Sequence, residues 1–324
     1  MAVLSRRAFG GVLVAGLPLA AVLGSVRVSA ADVALGVSTS SFRDLPRVPG
    51  RDNLDEVIRA LQAVRATDVE LAFANLEPAP PNTAPVMGGS AAYPKRIVLT
   101  PEQVAATNSV ARADLQAWRL QTPVSVFEQM RGKLASAGLA VRACALGYND
   151  SFSDDEIDAT FRQAKALGVT VIGSSLTMAM ARRLVPFAER HKVSVAIHNQ
   201  VDGNASGAID TAALKPALAL SSAFTLKLDV ANLTASNCDA VAELHEYRSR
   251  LSSVVLRDRL RNGGASQPFG EGDTPIKKVL SVLAASAPPV PALIEYDYVG
   301  LRSSVDEVKA CLAYCRSAPA STSR

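Results

Sequence analysis

Residues 153–175 read SDDEIDATFRQAKALGVTVIGSS and combine the two local patterns that recur along this chain. The first four residues resemble a capping box, in which a serine caps a helix and a glutamate three residues later bonds back to it. The amphipathic pattern predicts a helix over 153–167, and Gly168 is typical of a helix stop. The β-branched run after it predicts a strand over 169–175. The stretch is therefore one helix–strand unit of an alternating chain.

The same alternation recurs along most of the sequence. Strands are predicted at 33–39, 68–73, 140–146, 169–175, 193–199, 224–230, 252–258 and 291–297. Helices are predicted at 53–65, 123–137, 153–167, 178–191, 209–220, 238–250, 274–286 and 303–316. Eight strands, each followed by a helix, predict an α/β protein with a closed (β/α)8 TIM barrel. An open doubly wound sheet is the alternative, but no GxGxxG pattern follows the first strand.

The first 30 residues have the pattern of an export signal. Arg6 and Arg7 form a twin-arginine n-region, and the apolar stretch that follows contains Pro18. That stretch falls short of the roughly 20 residues that a membrane-spanning helix needs. We expect a twin-arginine signal peptide over 1–30 and a periplasmic mature protein without a membrane contact. A retained membrane anchor is the alternative.

Charge and cysteine content narrow the class of the mature protein. The chain has 34 basic and 30 acidic residues, and loss of three arginines with the signal leaves 31 and 30. A nearly neutral chain gives no indication of a nucleic-acid partner. The four cysteines have no CxxC spacing, so we expect free thiols rather than a thiolate zinc site, with a disulfide from Cys238 as the alternative.

We expect the barrel to span 31–317 and a disordered tail to follow at 318–324.

An insertion at 74–121 interrupts the alternation after the second predicted strand. Its first part is rich in proline and asparagine, whereas the part that begins near Pro101 has a helical pattern. Long loops after barrel strands lie on the face that carries active sites. A lid over the active site is one interpretation of this insertion, and a surface decoration or a partner contact is the other.

Polar side chains collect where the predicted strands end. In a parallel barrel these ends meet at one face. The side chains there are Glu70, His198, Asn199, Gln200, Asp229, Asn232, Arg257, Asp258, Glu295 and Tyr296. Carboxylate and imidazole ligands suit a divalent metal such as Mn, Zn or Mg. The pattern therefore predicts a polar site at the mouth of the barrel.

Several motifs together resemble a known family. They are AKALGVTVIG (164–173), AERHKVSVAIHNQ (188–200), LKLDVAN (226–232), VVLRD (254–258), FGEGDTPIKKVL (269–280) and ALIEYD (292–297). In this order and spacing they resemble the xylose isomerase-like TIM barrels, which include sugar phosphate isomerases and epimerases. The strand-five motif is similar to the HNH variant of that family.

The resemblance implies a divalent metal held by His198, Asp229 and Glu295. The chain departs from the family pattern at two further positions that often carry histidine, where it has Val255 and Asn232, and Gln200 replaces the second histidine of HNH. A site with three ligands and open positions for substrate oxygens remains consistent with the sequence. A sugar pocket without metal is the alternative.

The resemblance also implies a reaction, namely removal of a proton next to a carbonyl group of a sugar or keto sugar, assisted by the metal. Glu295 is the candidate base, and Glu70, Asp258 or His198 is the candidate partner. Because the strand-five glutamate of the family's epimerases is absent, a one-sided isomerisation or β-elimination fits better. Glu70 and Asp258 have an alternative role as ion-pair partners of Arg257 or Lys227. The candidate substrate-binding residues are Asn199, Gln200, Asn232, Arg257, Glu271 and Tyr296.

Two other classes of protein compete with this interpretation. A non-catalytic barrel that binds carbohydrate would tolerate the missing ligands. A nuclease of the related endonuclease branch would need more than the three histidines of this chain and a basic face. The expected partner is therefore a small-molecule carbohydrate, and the sequence does not indicate an oligomeric state.

Overall fold

The computed structural model describes residues 27–28, 33–80, 101–317 and 321–322. Eight parallel strands form a closed barrel, in which each strand pairs with the next along the chain and the last pairs with the first. The strands are β1 (Leu35–Ser38), β2 (Asp68–Ala72), β3 (Ala140–Ala145), β4 (Val171–Ser174), β5 (Ser194–His198), β6 (Phe224–Asp229), β7 (Leu251–Leu256) and β8 (Ala292–Ile294). The predicted (β/α)8 barrel is confirmed.

Helices surround this barrel. They are α1 (Leu54–Ala63), α2 (Pro101–Gln121), α3 (Val124–Ser136), α4 (Asp154–Ala166), α5 (Met178–His191), α6 (Leu214–Leu218), α7 (Val230–Ala235), α8 (Ala240–Glu246), α9 (Ile276–Ala284) and α10 (Ser304–Arg316). The helix predicted at 209–220 is shorter than expected. Its first residues form a turn, because the side chain of Asp210 accepts a hydrogen bond from the backbone N–H of Ala213 at 3.2 Å.

Residues 153–175 fold as predicted, into α4 and β4. The Ser153 hydroxyl accepts a hydrogen bond from the backbone N–H of Glu156 at 3.2 Å and so caps α4. Gly138 and Gly168 follow α3 and α4 with φ of 76° and 82°, a conformation that favours glycine. Both helices therefore end where the sequence indicates.

The barrel interior carries charged side chains near its mouth, and the hydrophobic core lies between strands and helices. In β6, Leu226 and Leu228 are completely buried, and Lys227 lies on the opposite face of the strand. The Lys227 ammonium reaches Glu70 on β2, on the far side of the barrel, at 2.5 Å. This side chain therefore spans the interior of the barrel.

Helix α2 is tied to the barrel by buried ion pairs. Arg119 donates from Nε to Glu77 at 2.7 Å and from Nη1 to Glu156 at 2.6 Å. Glu156 also accepts from Arg112, and Gln163 on α4 donates to the backbone carbonyl of Arg119 at 2.7 Å. These bonds fix the helical half of the insertion against α4 and the loop after β2.

The ends of the chain contribute a small separate sheet. Arg27–Val28 pairs antiparallel with Ser321–Thr322. Most of the predicted signal peptide, part of the predicted insertion (81–100) and the rest of the predicted tail lie outside the described residues. In the part of the chain that the structure describes, no helix has the length and apolarity to cross a bilayer.

The four cysteines are free thiols, as predicted; they are Cys144, Cys238, Cys311 and Cys315.

Candidate functional site

A pocket of about 420 Å³ opens at the carboxyl ends of the barrel strands. Its wall includes His198 at the end of β5, Lys227 on β6 and Glu295 after β8. Helix α2 forms another part of the wall through Arg112, Leu115 and Arg119. The wall also includes Gly173 and Ser174 at the end of β4, and Gly147, Asn149 and Ser175 in the loops after β3 and β4. The pocket lies where the sequence predicts the site.

Lys227 is the cation at the base of this pocket. Its Nζ lies 2.5 Å from Glu70 Oε2 and 3.5 Å from Glu295 Oε2. Burial alone would lower the pKa of Lys227, but the Glu70 and Glu295 carboxylates outweigh burial and raise it. Gly173 leaves room for this pair, because a Cβ there would lie 3.1 Å from Glu70 Oε1 and 3.2 Å from Lys227 Cδ. Lys227 is therefore a protonated ammonium held in place by two carboxylates.

Glu295 is the carboxylate of the pocket wall that lies next to Lys227, whereas Glu77 on the same wall pairs with Arg119. Its burial would raise its pKa, but Lys227, Arg257 and His198 together lower it below the ordinary value. The side chain keeps 15% of its surface exposed. Glu295 is therefore an ionised group that a ligand can reach, next to an ammonium.

Asp229 is completely enclosed by hydrogen-bond donors. Its Oδ1 accepts from the backbone N–H groups of Ala231 and Asn232, both at 2.9 Å, and so caps α7. Its Oδ2 lies 2.5 Å from Arg257 Nη2 and 3.0 Å from His198 Nε2. Burial opposes ionisation, but Arg257 and His198 hold the pKa of Asp229 well below its usual range. Both oxygens of this carboxylate are engaged within the protein.

Arg257 links the ends of three strands. Its Nη2 donates to Asp229 and to Asn232 Oδ1 at 2.9 Å, and its Nη1 donates to Asp297 Oδ2 at 2.5 Å. Burial would lower the pKa of Arg257, but Asp229, Glu295 and Asp297 raise it. The guanidinium is therefore fixed among carboxylates and belongs to the framework beneath the pocket.

The predicted metal ligands do not form a metal site. Within the described ranges, no group of three or more His, Cys, Asp or Glu side chains is placed to hold a metal ion. The reason lies in the donor set: Asp229 has its oxygens occupied, His198 Nε2 faces Asp229, and Glu295 faces Lys227. Two fixed cations, Arg257 and Lys227, also stand where a third positive charge would have to enter. These residues do not fit a divalent ion.

Asp258 and Glu271 lie away from the pocket, contrary to the prediction. The Asp258 carboxylate is buried and accepts backbone N–H groups from Gly270 at 2.7 Å, Gly272 at 3.2 Å and Thr274 at 3.1 Å. It therefore shapes the loop after β7, and it pairs with neither Arg257 nor Lys227. Glu271 is exposed on that same loop and is not part of the pocket wall that the described residues form.

Three of the predicted substrate-binding residues, Asn199, Gln200 and Asn232, form hydrogen bonds within the protein at the strand ends. Asn199 donates from Nδ2 to the Asp229 carbonyl at 3.2 Å and accepts from the Asp229 N–H at 2.7 Å. Asn232 donates to the Asn199 carbonyl at 2.8 Å. Gln200 donates to the hydroxyl of Ser175, a pocket residue, at 2.8 Å. These amides hold the ends of neighbouring strands together and position the pocket wall.

Tyr296 and Glu70 also form hydrogen bonds with other residues of the protein. The Tyr296 hydroxyl accepts the backbone N–H of Gly300 at 3.1 Å, which stabilises the loop after β8. Glu70 accepts from Ser38 at 2.9 Å and from Lys227, which confirms the ion-pair alternative for this residue.

Lys227 and Arg112 line the pocket, although the sequence patterns do not predict them as pocket residues. A pattern in the sequence does point to Lys227. This lysine lies inside the apolar strand FTLKLD, shares a strand face with Asp229 and therefore requires a buried partner of opposite charge. Arg112 lies in a helix whose distance from the barrel no local pattern reveals. Only the tertiary contacts with Glu156 and Ser151 place it there.

Comparison with known proteins shows the fold. No protein-family model matches the chain, and no curated protein matches it. A xylose isomerase domain protein from Planctomyces limnophilus is 14% identical, with a TM-score of 0.53 over 87% of this chain and 94% of its own. The chain shares the fold of the xylose isomerase-like barrels.

Two further solved structures resemble this chain to a similar degree. A 3-keto-D-glucoside 4-epimerase from E. coli is 12% identical, with a TM-score of 0.54 over 88% of this chain and 99% of its own. An IolI protein with a bound zinc atom is 11% identical, with a TM-score of 0.54 over 88% of this chain and 99% of its own. Identities this low establish the common architecture only.

Proposed function

We propose that this protein is a sugar isomerase/epimerase-like enzyme that removes a proton from the carbon next to a carbonyl group of a sugar or keto sugar. The observation that carries the proposal is the pair formed by Glu295 and Lys227, an ionised carboxylate 3.5 Å from a protonated ammonium on one pocket wall. Proton abstraction next to a carbonyl needs a base together with a positive charge near the carbonyl oxygen. The 3-keto-D-glucoside 4-epimerase with the same fold supports this choice.

Glu295 is the base in this mechanism. As the C–H bond breaks, its proton passes to the Glu295 carboxylate, and the electron pair of the bond moves onto the carbonyl oxygen to give an enediolate. The Lys227 ammonium donates a hydrogen bond to that oxygen and stabilises its negative charge. Because Glu70 and the barrel already hold Lys227 in position, this stabilisation requires little reorganisation.

The enediolate then takes a proton back. Return of the proton from Glu295 to the former carbonyl carbon gives an isomer, whereas an epimer requires that a second acid deliver a proton to the opposite face of the same carbon. His198 lies on the same wall and exchanges protons with the neighbouring sugar oxygens. Metal assistance is not part of this mechanism, because the donor set does not fit a divalent ion.

The test follows hydrogen exchange at carbon. A panel of keto sugars is incubated with the protein in deuterium oxide, and proton NMR measures the loss of signal at the carbon next to the carbonyl. We expect Glu295→Gln to slow the exchange by about 10² to 10⁴-fold, the usual contribution of a general base. Glu271→Gln is the matched control, since it makes the same change at an exposed glutamate outside the pocket, and it should exchange at the wild-type rate.

Two outcomes would contradict the proposal. If Glu295→Gln exchanges as fast as wild type, Glu295 is not the base. If the wild-type protein binds panel sugars but exchanges no carbon-bound hydrogen, the non-catalytic carbohydrate-binding barrel is the better description.

A further inference from the structure

We infer that Arg257 is a built-in cation at the barrel mouth, and that this site therefore binds no divalent metal ion until Arg257 is removed. The inference concerns cation binding alone and does not depend on the proposed reaction. It rests on three observations, which are the position of Arg257, the state of Asp229 and the identity of residue 255.

The first observation is where the guanidinium lies. Its two terminal nitrogens contact Asp229 and Asp297, each at 2.5 Å, on different strand ends. A planar guanidinium joins two carboxylates in fixed directions, as a bridging cation does. Arg257 therefore already supplies the positive charge that these carboxylates require.

The second observation is that Asp229 has no free oxygen to offer. It receives two backbone N–H groups on Oδ1, and Arg257 and His198 on Oδ2. A metal ion would have to displace at least Arg257 from a completely buried carboxylate. The displaced guanidinium would remain close by and repel the ion.

The third observation is the strand register. Val255 on β7 pairs with Asp229 on β6, so it occupies the adjacent position in the ladder. Its side chain is buried and has no ligand atom. Arg257 follows two residues later and therefore starts from the same face of the strand. Val255 thus places a hydrophobic side chain next to Asp229, where a metal ligand could otherwise stand. Arg257 adds a fixed positive charge close by.

The experiment measures cation binding directly. Untagged protein is titrated with Mn²⁺ or Zn²⁺, with calorimetry and the Mn²⁺ electron paramagnetic resonance signal as readouts. We expect no saturable binding by the wild-type protein at this site. In Arg257→Gln, Asp229 and Asp297 lose their shared cation, and we expect saturable binding of Mn²⁺ or Zn²⁺ to appear.

Arg259→Gln is the matched control. Arg259 shares the Asn232 contact with Arg257 at 2.9 Å, but the contacts seen for it in the described chain include no carboxylate. Arg259 also interacts electrostatically with Asp229 and Asp297 at longer range, so its substitution should raise cation binding much less than Arg257→Gln does. A gain in Arg257→Gln that Arg259→Gln lacks would identify the carboxylate contacts of Arg257 as the cause.

The inference is overturned if wild-type protein binds Mn²⁺ or Zn²⁺ in a saturable way that Asp229→Asn abolishes. It is also overturned if folded Arg257→Gln has no higher affinity than Arg259→Gln. Should Arg257→Gln fail to fold, the wild-type and Asp229→Asn titrations decide the question by themselves.

Discussion

Lys227 and Glu70 are both almost completely buried, and each provides the other's charge partner across the barrel. Burying two charges is costly, and their attraction offsets the loss of hydration only while both are present. Glu295 approaches the same ammonium from a third strand. The charges beneath the pocket are therefore interdependent, and removal of Lys227 takes the ammonium away from both carboxylates.

A double-mutant cycle tests this interdependence. We expect Lys227→Met to lower the free energy of unfolding by about 3–5 kcal/mol, because Glu70 is then a buried charge without a partner. The double variant Lys227→Met/Glu70→Gln should recover part of this loss. Urea unfolding of the single and double variants measures it, and strictly additive losses would show that the two charges are not coupled.

Asp229 makes stability depend on pH in a defined direction. Its pKa is lower in the folded protein than in the unfolded chain, where an aspartate has a pKa of about 3.9. Its contribution to stability is therefore complete above that value and is lost as the pH falls below it.

Asp229→Asn is expected to be less stable than wild type at pH 7, and the difference should shrink as the pH is lowered below about 4. Urea unfolding at a series of pH values measures both curves. A stability difference that stays constant down to pH 3 would contradict the assignment of a lowered pKa to this carboxyl.

At the level of elements, α2 is held against the barrel by a few buried polar contacts and by the packing of Trp118 against Phe127. Arg119 connects it to Glu77 and Glu156, and the side chain of Arg119 is only 5% exposed. The same helix supplies Arg112 and Leu115 to the pocket. We propose that α2 acts as a lid, and its ion pairs then control how firmly the pocket is covered.

Hydrogen–deuterium exchange of Arg119→Gln tests this dependence. We expect amide exchange in α2 to accelerate by about 10-fold or more, while the barrel strands keep their protection, because the lost ion pairs anchor only this helix. Arg183→Gln is the control, since Arg183 pairs with the largely exposed Asp154 at the start of α4. Faster exchange throughout the barrel would show that Arg119 stabilises the whole molecule instead.

The short helix α7 shows where the sequence pattern was insufficient. Asp229 ends β6 and at once caps α7, so no loop separates the two elements. A sequence pattern expects a turn between a strand and a helix, and the residues 230–235 continue the apolar run. The side chain of one aspartate therefore determines a boundary that periodicity does not show.

For the whole molecule, the barrel was predictable and the site only in part. Strand and helix periodicities are local, and eight repeats of them leave few architectures to choose from. The contacts of Arg257 with Asp229 and Asp297 depend instead on side-chain directions across three strands. That information is not local, so the sequence predicts His198, Asp229 and Glu295 at one end of the barrel but not the hydrogen bonds and ion pairs that engage them.

Strand β8 has three residues and bonds to both β7 and β1. It is the last barrel strand along the chain, and Glu295 follows it directly. During synthesis, the ring can close only after this strand has left the ribosome. Until then Lys227 has Glu70 as its carboxylate partner but lacks Glu295. A nascent chain therefore completes its pocket in the same step in which β8 pairs with β7 and β1 and closes the barrel.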